Sequence, residues 1–187
     1  MSGFIVIEGL DGVGKSTLVK KLVEDFSGFA MSTPGPALEA SRKSVLAVFA
    51  EDELAKALFY TASVSNEGRK ARSLADSGKW VFMDRYWAST LAYAKARGVT
   101  ANLDALSKSL TKPDLTVLLM LDETERQRRL NIRGATMEDM ETLDPAFRKC
   151  VLDELQMRAD LVIDISGLNE SEASEKLFTA INHFNSN

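Results

Sequence analysis

The stretch "GLDGVGKST", residues 9–17, gathers glycines, a lysine and two hydroxyls in one short segment. It fits G-x-x-x-x-G-K-[ST], a pattern with a direct physical reading. Backbone N–H groups can cradle a phosphate chain only where side chains do not obstruct the approach, and Gly9, Gly12 and Gly14 clear it. Lys15 brings a point charge to the β- and γ-phosphates, and Ser16 offers an oxygen to Mg²⁺. The positive end of the following helix adds to both effects. Leu10, Asp11, Val13 and Thr17 complete the loop. A second stretch, "VFMDRYWASTLAY" (81–93), runs apolar and then abruptly carries Asp84, Arg85, Tyr86, Ser89 and Tyr93. Standing alone, it reads equally well as a strand end meeting solvent with a surface ion pair. Beside a phosphate loop, a strand ending in Asp places a carboxylate near Mg²⁺ or its waters. Together the two stretches imply binding of a nucleoside triphosphate.

The rest of the chain must position these residues. Near-continuous apolar runs at 4–8, 80–83, 116–121 and 161–165 read as strands buried on both faces, with a weaker strand near 29–32. Good helix formers fill 15–26, 37–49, 52–77, 87–97, 123–133, 145–159 and 170–184. Strand–helix alternation predicts right-handed crossovers and a three-layer α/β/α fold on a mostly parallel five-stranded sheet. Ligands of such sheets gather beyond the carboxyl ends of the strands, where "VFMDRY" presents Asp84 and Arg85. The 187 residues suit a single domain spanning 1–187. With Cys150 the only cysteine, no internal disulfide can form, and a reducing cytoplasm is the expected setting. The opening "MSGFIVIEG" does not read as a signal peptide, and no apolar run could span a bilayer. A net charge of -4 argues against a general nucleic-acid surface.

The ordered pieces "FIVIEGLDGVGKST", "PG" (34–35), "LFYTAS" (58–63), "DRYWASTLAY" (84–93), "KPDLTVLLML" (112–121) and "ERQRRLNIRG" (125–134) resemble the thymidylate kinase family of P-loop nucleoside monophosphate kinases. The resemblance implies transfer of the γ-phosphoryl group of ATP to dTMP, with Mg²⁺, by a cytoplasmic homodimer without nucleic-acid or membrane partners. It assigns the acceptor phosphate to Arg85 and Arg42, the reacting phosphates and Mg²⁺ to Asp84 with Ser16, and the sugar 3′-hydroxyl to Asp11. Tyr93 is expected beside the sugar, Phe59 stacked on the base and Ser63 at the base edge. Arg126, Arg129 and Arg133 share one helical face at the start of a lid expected at about 126–144. Arg126 is expected as a solvated residue paired with Glu123 or Glu125. Arg129 and Arg133 are expected to bring charge to the transferred phosphoryl group.

Three departures from the family pattern stand out. Position 63 is Ser where the family has a base-reading Arg, Ser32 and Thr33 precede "PG" where the family writes R-E, and neither Gly12 nor the segment "ATMEDMETLD" supplies the usual extra Arg. Relaxed base selection is expected from the first. A kinase of the same fold acting on another monophosphate or a deoxynucleoside stays open, as does a non-catalytic P-loop module. The latter would have no need of an acceptor pocket.

Overall fold

The computed structural model describes residues 2–134 and 137–184. Ala135 and Thr136 of the expected lid lie outside the described residues, as do Met1 and residues 185–187. Five strands occupy the apolar runs: β1 (Gly3–Glu8), β2 (Phe29–Ser32), β3 (Trp80–Asp84), β4 (Leu115–Met120) and β5 (Leu161–Asp164). They pair in parallel throughout, in the order β2-β3-β1-β4-β5. The helices are α1 (Lys15–Phe26), α2 (Pro36–Phe49), α3 (Glu53–Asp76), α4 (Trp87–Ala96), α5 (Glu123–Arg133), α6 (Met137–Glu141), α7 (Pro145–Arg158) and α8 (Glu170–Phe184). A 3₁₀ turn covers Leu103–Ser109.

Why the helices start where they do is visible in their caps. Asp52 accepts from Ala55 N at 2.8 Å, Asp122 from Glu125 N at 3.0 Å and Asp144 from Phe147 N at 2.7 Å. Each satisfies an amide that the first turn would leave unpaired. Alternate strand residues then face opposite helix layers. Ile5, Ile7 and Phe82 join Leu18 and Leu22 of α1 and Leu177 and Ile181 of α8 in one buried cluster. Phe4, Val6, Val81 and Met83 join Val64, Ala71 and Ala75 of α3 in another. Both faces of the sheet are therefore covered, as the apolar runs require. Among the described residues no helix is long and apolar enough to cross a membrane.

The strand order fixes where chemistry can occur. β1 and β3 are neighbours with Ile7 opposite Asp84. The chain leaving β1 goes to β2 beyond β3, whereas the chain leaving β3 goes to β4 on the other side of β1. Their loops diverge and open a crevice at the carboxyl ends, the switch point at which ligands bind. The phosphate loop and Arg85 are the two sides of that crevice. That is why an acid and a base end an otherwise buried strand.

Candidate active site

The loop after β1 turns on glycine geometry. Gly9 has φ 147°, and a Cβ there would stand 2.8 Å from the Leu119 carbonyl oxygen. Gly12 and Gly14 have φ 88° and 103°, a region that other residues adopt only with strain. Leu10 and Val13 anchor the loop in the core, while Ser16 and Thr17 open α1 exposed. Lys15 is buried and its Nζ donates to Leu10 O at 2.8 Å, with Asp11 Oδ1 at 3.8 Å. Burial and the neighbouring Arg85 charge bring its pKa down to about 8. Ser16 Oγ donates to Asp84 Oδ2 at 2.6 Å, so the two oxygen donors expected at Mg²⁺ lie side by side.

Arg85 begins the loop after β3 with φ 63°, in the left-handed region. A non-glycine residue there costs on the order of 1–3 kcal/mol and persists only where neighbours enforce it. Here Arg85 N donates to Ile7 O at 3.0 Å and Arg85 O accepts from Thr33 Oγ1 at 2.9 Å. The turn swings the guanidinium back over the loop. Nη2 lies 2.7 Å from Asp11 Oδ1, Nη1 donates to Ser89 Oγ at 3.0 Å, and the group stands 5.3 Å from the Tyr93 ring centre. Burial would raise the Asp11 carboxyl pKa, but the charges of Arg85 and Lys15 hold it well below the usual carboxylate range.

Beneath Arg85 lies Glu8, fully buried. Its Oε1 accepts from Tyr86 N at 2.9 Å and Ser89 N at 3.2 Å, and its Oε2 accepts from Ser89 Oγ. Burial pushes the Glu8 pKa up, against the Ser89 hydrogen bond that lowers it. Glu8 thus caps the start of α4 and, through Ser89, seats Arg85. Sequence reasoning missed this role, although an acid closing the run "FIVIE" was the available signal. Tyr86 Oη donates to Thr111 O at 2.9 Å while crossing α3 at Gly68, where a Cβ would fall 1.8 Å from that oxygen.

Two cavities meet at this point. The first, about 710 Å³, is walled by Gly12, Gly14, Lys15, Ser16, Asp84 and Arg129, among others. The second, about 180 Å³, runs between α3 and α4 and is lined by Glu53, Ala57, Tyr60, Tyr93, Ala94 and Arg97, among others. Asp11, Thr33, Pro34, Arg42 and Arg85 line both. Arg42 Nε donates to Tyr60 Oη at 3.1 Å. The Tyr93 ring is flanked by two guanidiniums, Arg85 at 5.3 Å and Arg97 at 5.5 Å. Burial pushes the Tyr93 hydroxyl pKa up. Phe59 and Ser63 do not line either cavity. Phe59 packs edge-on against Tyr60, and Ser63 is fully buried with its Oγ lacking a hydrogen-bond partner among the described residues.

Arg126, Arg129 and Arg133, expected at the start of a lid, have three different environments. Arg126 is fully buried, which overturns its expected solvation. It donates to both Glu123 oxygens, to Asp11 O at 3.0 Å, and to Thr142 Oγ1 and O at 3.1 Å each. It thereby joins the phosphate loop to the segment after α6. Arg129 donates to Glu125 Oε1 at 2.8 Å and Val13 O at 3.3 Å, at the wall of the larger cavity. Arg133 also lines that cavity, held by both oxygens of Asp139 at 2.8–2.9 Å.

A family model for thymidylate kinase matches residues 7–176. A protein of Pyrococcus horikoshii named "Probable thymidylate kinase" is 36% identical over 149 residues, covering 72% of this chain and 73% of that protein. The thymidylate kinase of Chromohalobacter salexigens is 31% identical, with 83% and 81% of the two chains covered. The solved thymidylate kinase of Candida albicans superposes with a TM-score of 0.77 at 23% identity, over 97% of this chain and 92% of that one, and so shares the fold.

Proposed function

Because the chain belongs to the thymidylate kinase family, we propose that it transfers the γ-phosphoryl group of ATP to the 5′-phosphate of dTMP, giving dTDP and ADP. The observation that carries this reading is the common wall of the two cavities, formed by Asp11, Arg42 and Arg85. A phosphate-loop site opens directly onto a second site lined by three arginines, three tyrosines and two acids, among others. A nucleotide switch would have no need of the second site, and a nucleoside hydroxyl would have no need of Arg85.

In this reading an oxygen of the acceptor phosphate attacks the γ-phosphorus as the bond to the β-bridging oxygen breaks, the two oxygens roughly in line. The backbone at 9–17 cradles the donor phosphates, and Lys15 exchanges Leu10 O for the β- and γ-oxygens. Arg85 grips the acceptor phosphate with the fork geometry suited to it, and Arg42 supports it from α2. Asp11, kept ionised, holds Arg85 and meets the sugar 3′-hydroxyl, with Tyr93 beside the sugar. Arg129 and Arg133 bring charge to the equatorial oxygens. Ser16 and Asp84, side by side, present hard oxygen donors that would hold a Mg²⁺ ion. When bound, Mg²⁺ neutralises charge on the β- and γ-oxygens.

The protein is proposed to act in the cytoplasm as a homodimer. Exposed Val48, Leu54 and Leu58 on α2 and α3 give such a contact apolar area. A coupled assay of ADP release, with ATP and each common (d)NMP, tests the function. dTMP is expected to be the preferred acceptor, and ADP release unaffected by any monophosphate would overturn the reading.

A further inference from the structure

The far end of the acceptor cavity carries a charged pair that the phosphate chemistry leaves unused. Lining residues Tyr86, Ser89, Thr90, Tyr93, Ala94 and Arg97 recur at helical spacing along α4 and its end. From Ser89 to Arg97 the helix rises about 12 Å, so the face runs from the Arg85 end to a distant one. There Arg97 meets Glu53, the first residue of α3. Glu141 of α6 fixes the guanidinium by accepting from Nε at 3.0 Å and Nη2 at 2.6 Å. Nη1 makes no hydrogen bond among the described residues. Across from it, Glu53 Oε1 accepts from Lys56 Nζ at 2.6 Å. Its Oε2 is shielded from solvent and has no hydrogen-bond partner among the described residues, with Arg97 Nε at 3.8 Å. A buried carboxylate oxygen without a donor is an uncommon feature, and in a cavity wall it asks for a donor from the ligand.

We propose that Arg97 and Glu53 read the acceptor base, selecting a ring edge that places a carbonyl oxygen next to an N–H. The inference rests on the acceptor cavity receiving a nucleoside monophosphate. A thymine or uracil O4 accepts from Arg97 while N3–H donates to Glu53 Oε2. Cytosine reverses both partners, setting its amine against the guanidinium and its bare N3 against the carboxylate. Each reversal leaves one atom of a charged group, Arg97 Nη1 or Glu53 Oε2, facing a base atom of the wrong kind, so discrimination should be large. The pair stands in a different place from Ser63, which is buried away from the cavity. Glu141 makes Arg97 rigid, and the lid helix thereby contributes to base selection.

dUMP and dCMP test this directly, since they differ only in that edge. Their dissociation constants are measured by calorimetry without ATP on the full chain, on Glu53→Gln and on Arg97→Gln. Thermal melts of each confirm folding. The wild type is expected to bind dUMP at least about a hundredfold more tightly than dCMP. Either variant should cut that ratio at least about tenfold, with Glu53→Gln gaining dCMP affinity because its amide can donate to N3. Equal binding of the two nucleotides, no binding of either, or a preference that survives both substitutions would overturn the assignment. Turnover is measured separately, so selective binding without phosphoryl transfer would refute the kinase reading and leave the base-reading pair standing.

Discussion

Binding of ATP at mildly alkaline pH is expected to draw a proton onto Lys15. In the free protein, burial and the Arg85 charge lower the Lys15 pKa from 10.5 to about 8. A triphosphate supplies the negative charge that restores the ordinary value. At pH 8 about half of the free molecules lack the proton, at pH 7 about a tenth, and at pH 9 about nine-tenths. Proton uptake on binding should therefore climb from about 0.1 at pH 7 to about 0.5 at pH 8 and 0.9 at pH 9. Apparent ATP affinity should fall about tenfold between pH 7 and 9, equivalent to about 1.4 kcal/mol. Stability moves the opposite way. The folded chain holds fewer protons than the unfolded one between about 8 and 10.5, so this group favours the free fold as pH rises through that window. Calorimetric titration of MgATP in buffers of different ionisation enthalpy reads the uptake. Zero uptake at pH 8, or affinity flat from pH 7 to 9, would refute the buried, charge-crowded Lys15.

Other expectations follow from single contacts. Arg85→Ala should raise the KM for dTMP about 10–150-fold, from loss of a charge-assisted hydrogen bond of about 1.5–3 kcal/mol, and leave the KM for ATP nearly unchanged. Steady-state kinetics in both substrates would move Arg85 to the donor site if the ATP constant changed instead. Gly68→Ala would drive a methyl to within 1.8 Å of Tyr86 Oη. Overpacking of this kind costs about 1–3 kcal/mol, to be seen as a lower urea midpoint, and an unshifted midpoint would mean that α3 and Tyr86 separate freely.

Much of the scaffold was legible because parallel strands buried on both faces leave continuous apolar runs. Even the weak run "FAMS" became β2, at Phe29–Ser32. What escaped was short or held by tertiary contacts. Helix α6 spans only Met137–Glu141, too few residues to show a period. The 3₁₀ turn at 103–109 has no amphipathic signature to read. At the candidate site, the glycine–lysine loop and the DRY stretch stood out through residue types that few other tasks require, and the fold brings them together. Glu8, Glu53 and Arg97 did not, because an acid at a strand end, a helix start and an arginine after a helix are ordinary on their own. Their meaning comes from packing that brings residues 8 and 89, or 53, 97 and 141, together. Arg126 misled for a related reason. A charged face at i, i+3 and i+7 reads as solvated, yet the segment after α6 folds over it and buries the guanidinium completely.

In the proposed reaction one phosphoryl group passes from donor to acceptor across Arg85, between two adjoining cavities. Incubation with γ-labelled ATP and dTMP, followed by separation of the nucleotides, reads this transfer. The label should appear in the β-phosphate of dTDP, one ADP forming for each dTDP, and Lys15→Ala should abolish the transfer while keeping the wild-type fold. Label released as inorganic phosphate at the same rate with or without dTMP would contradict it.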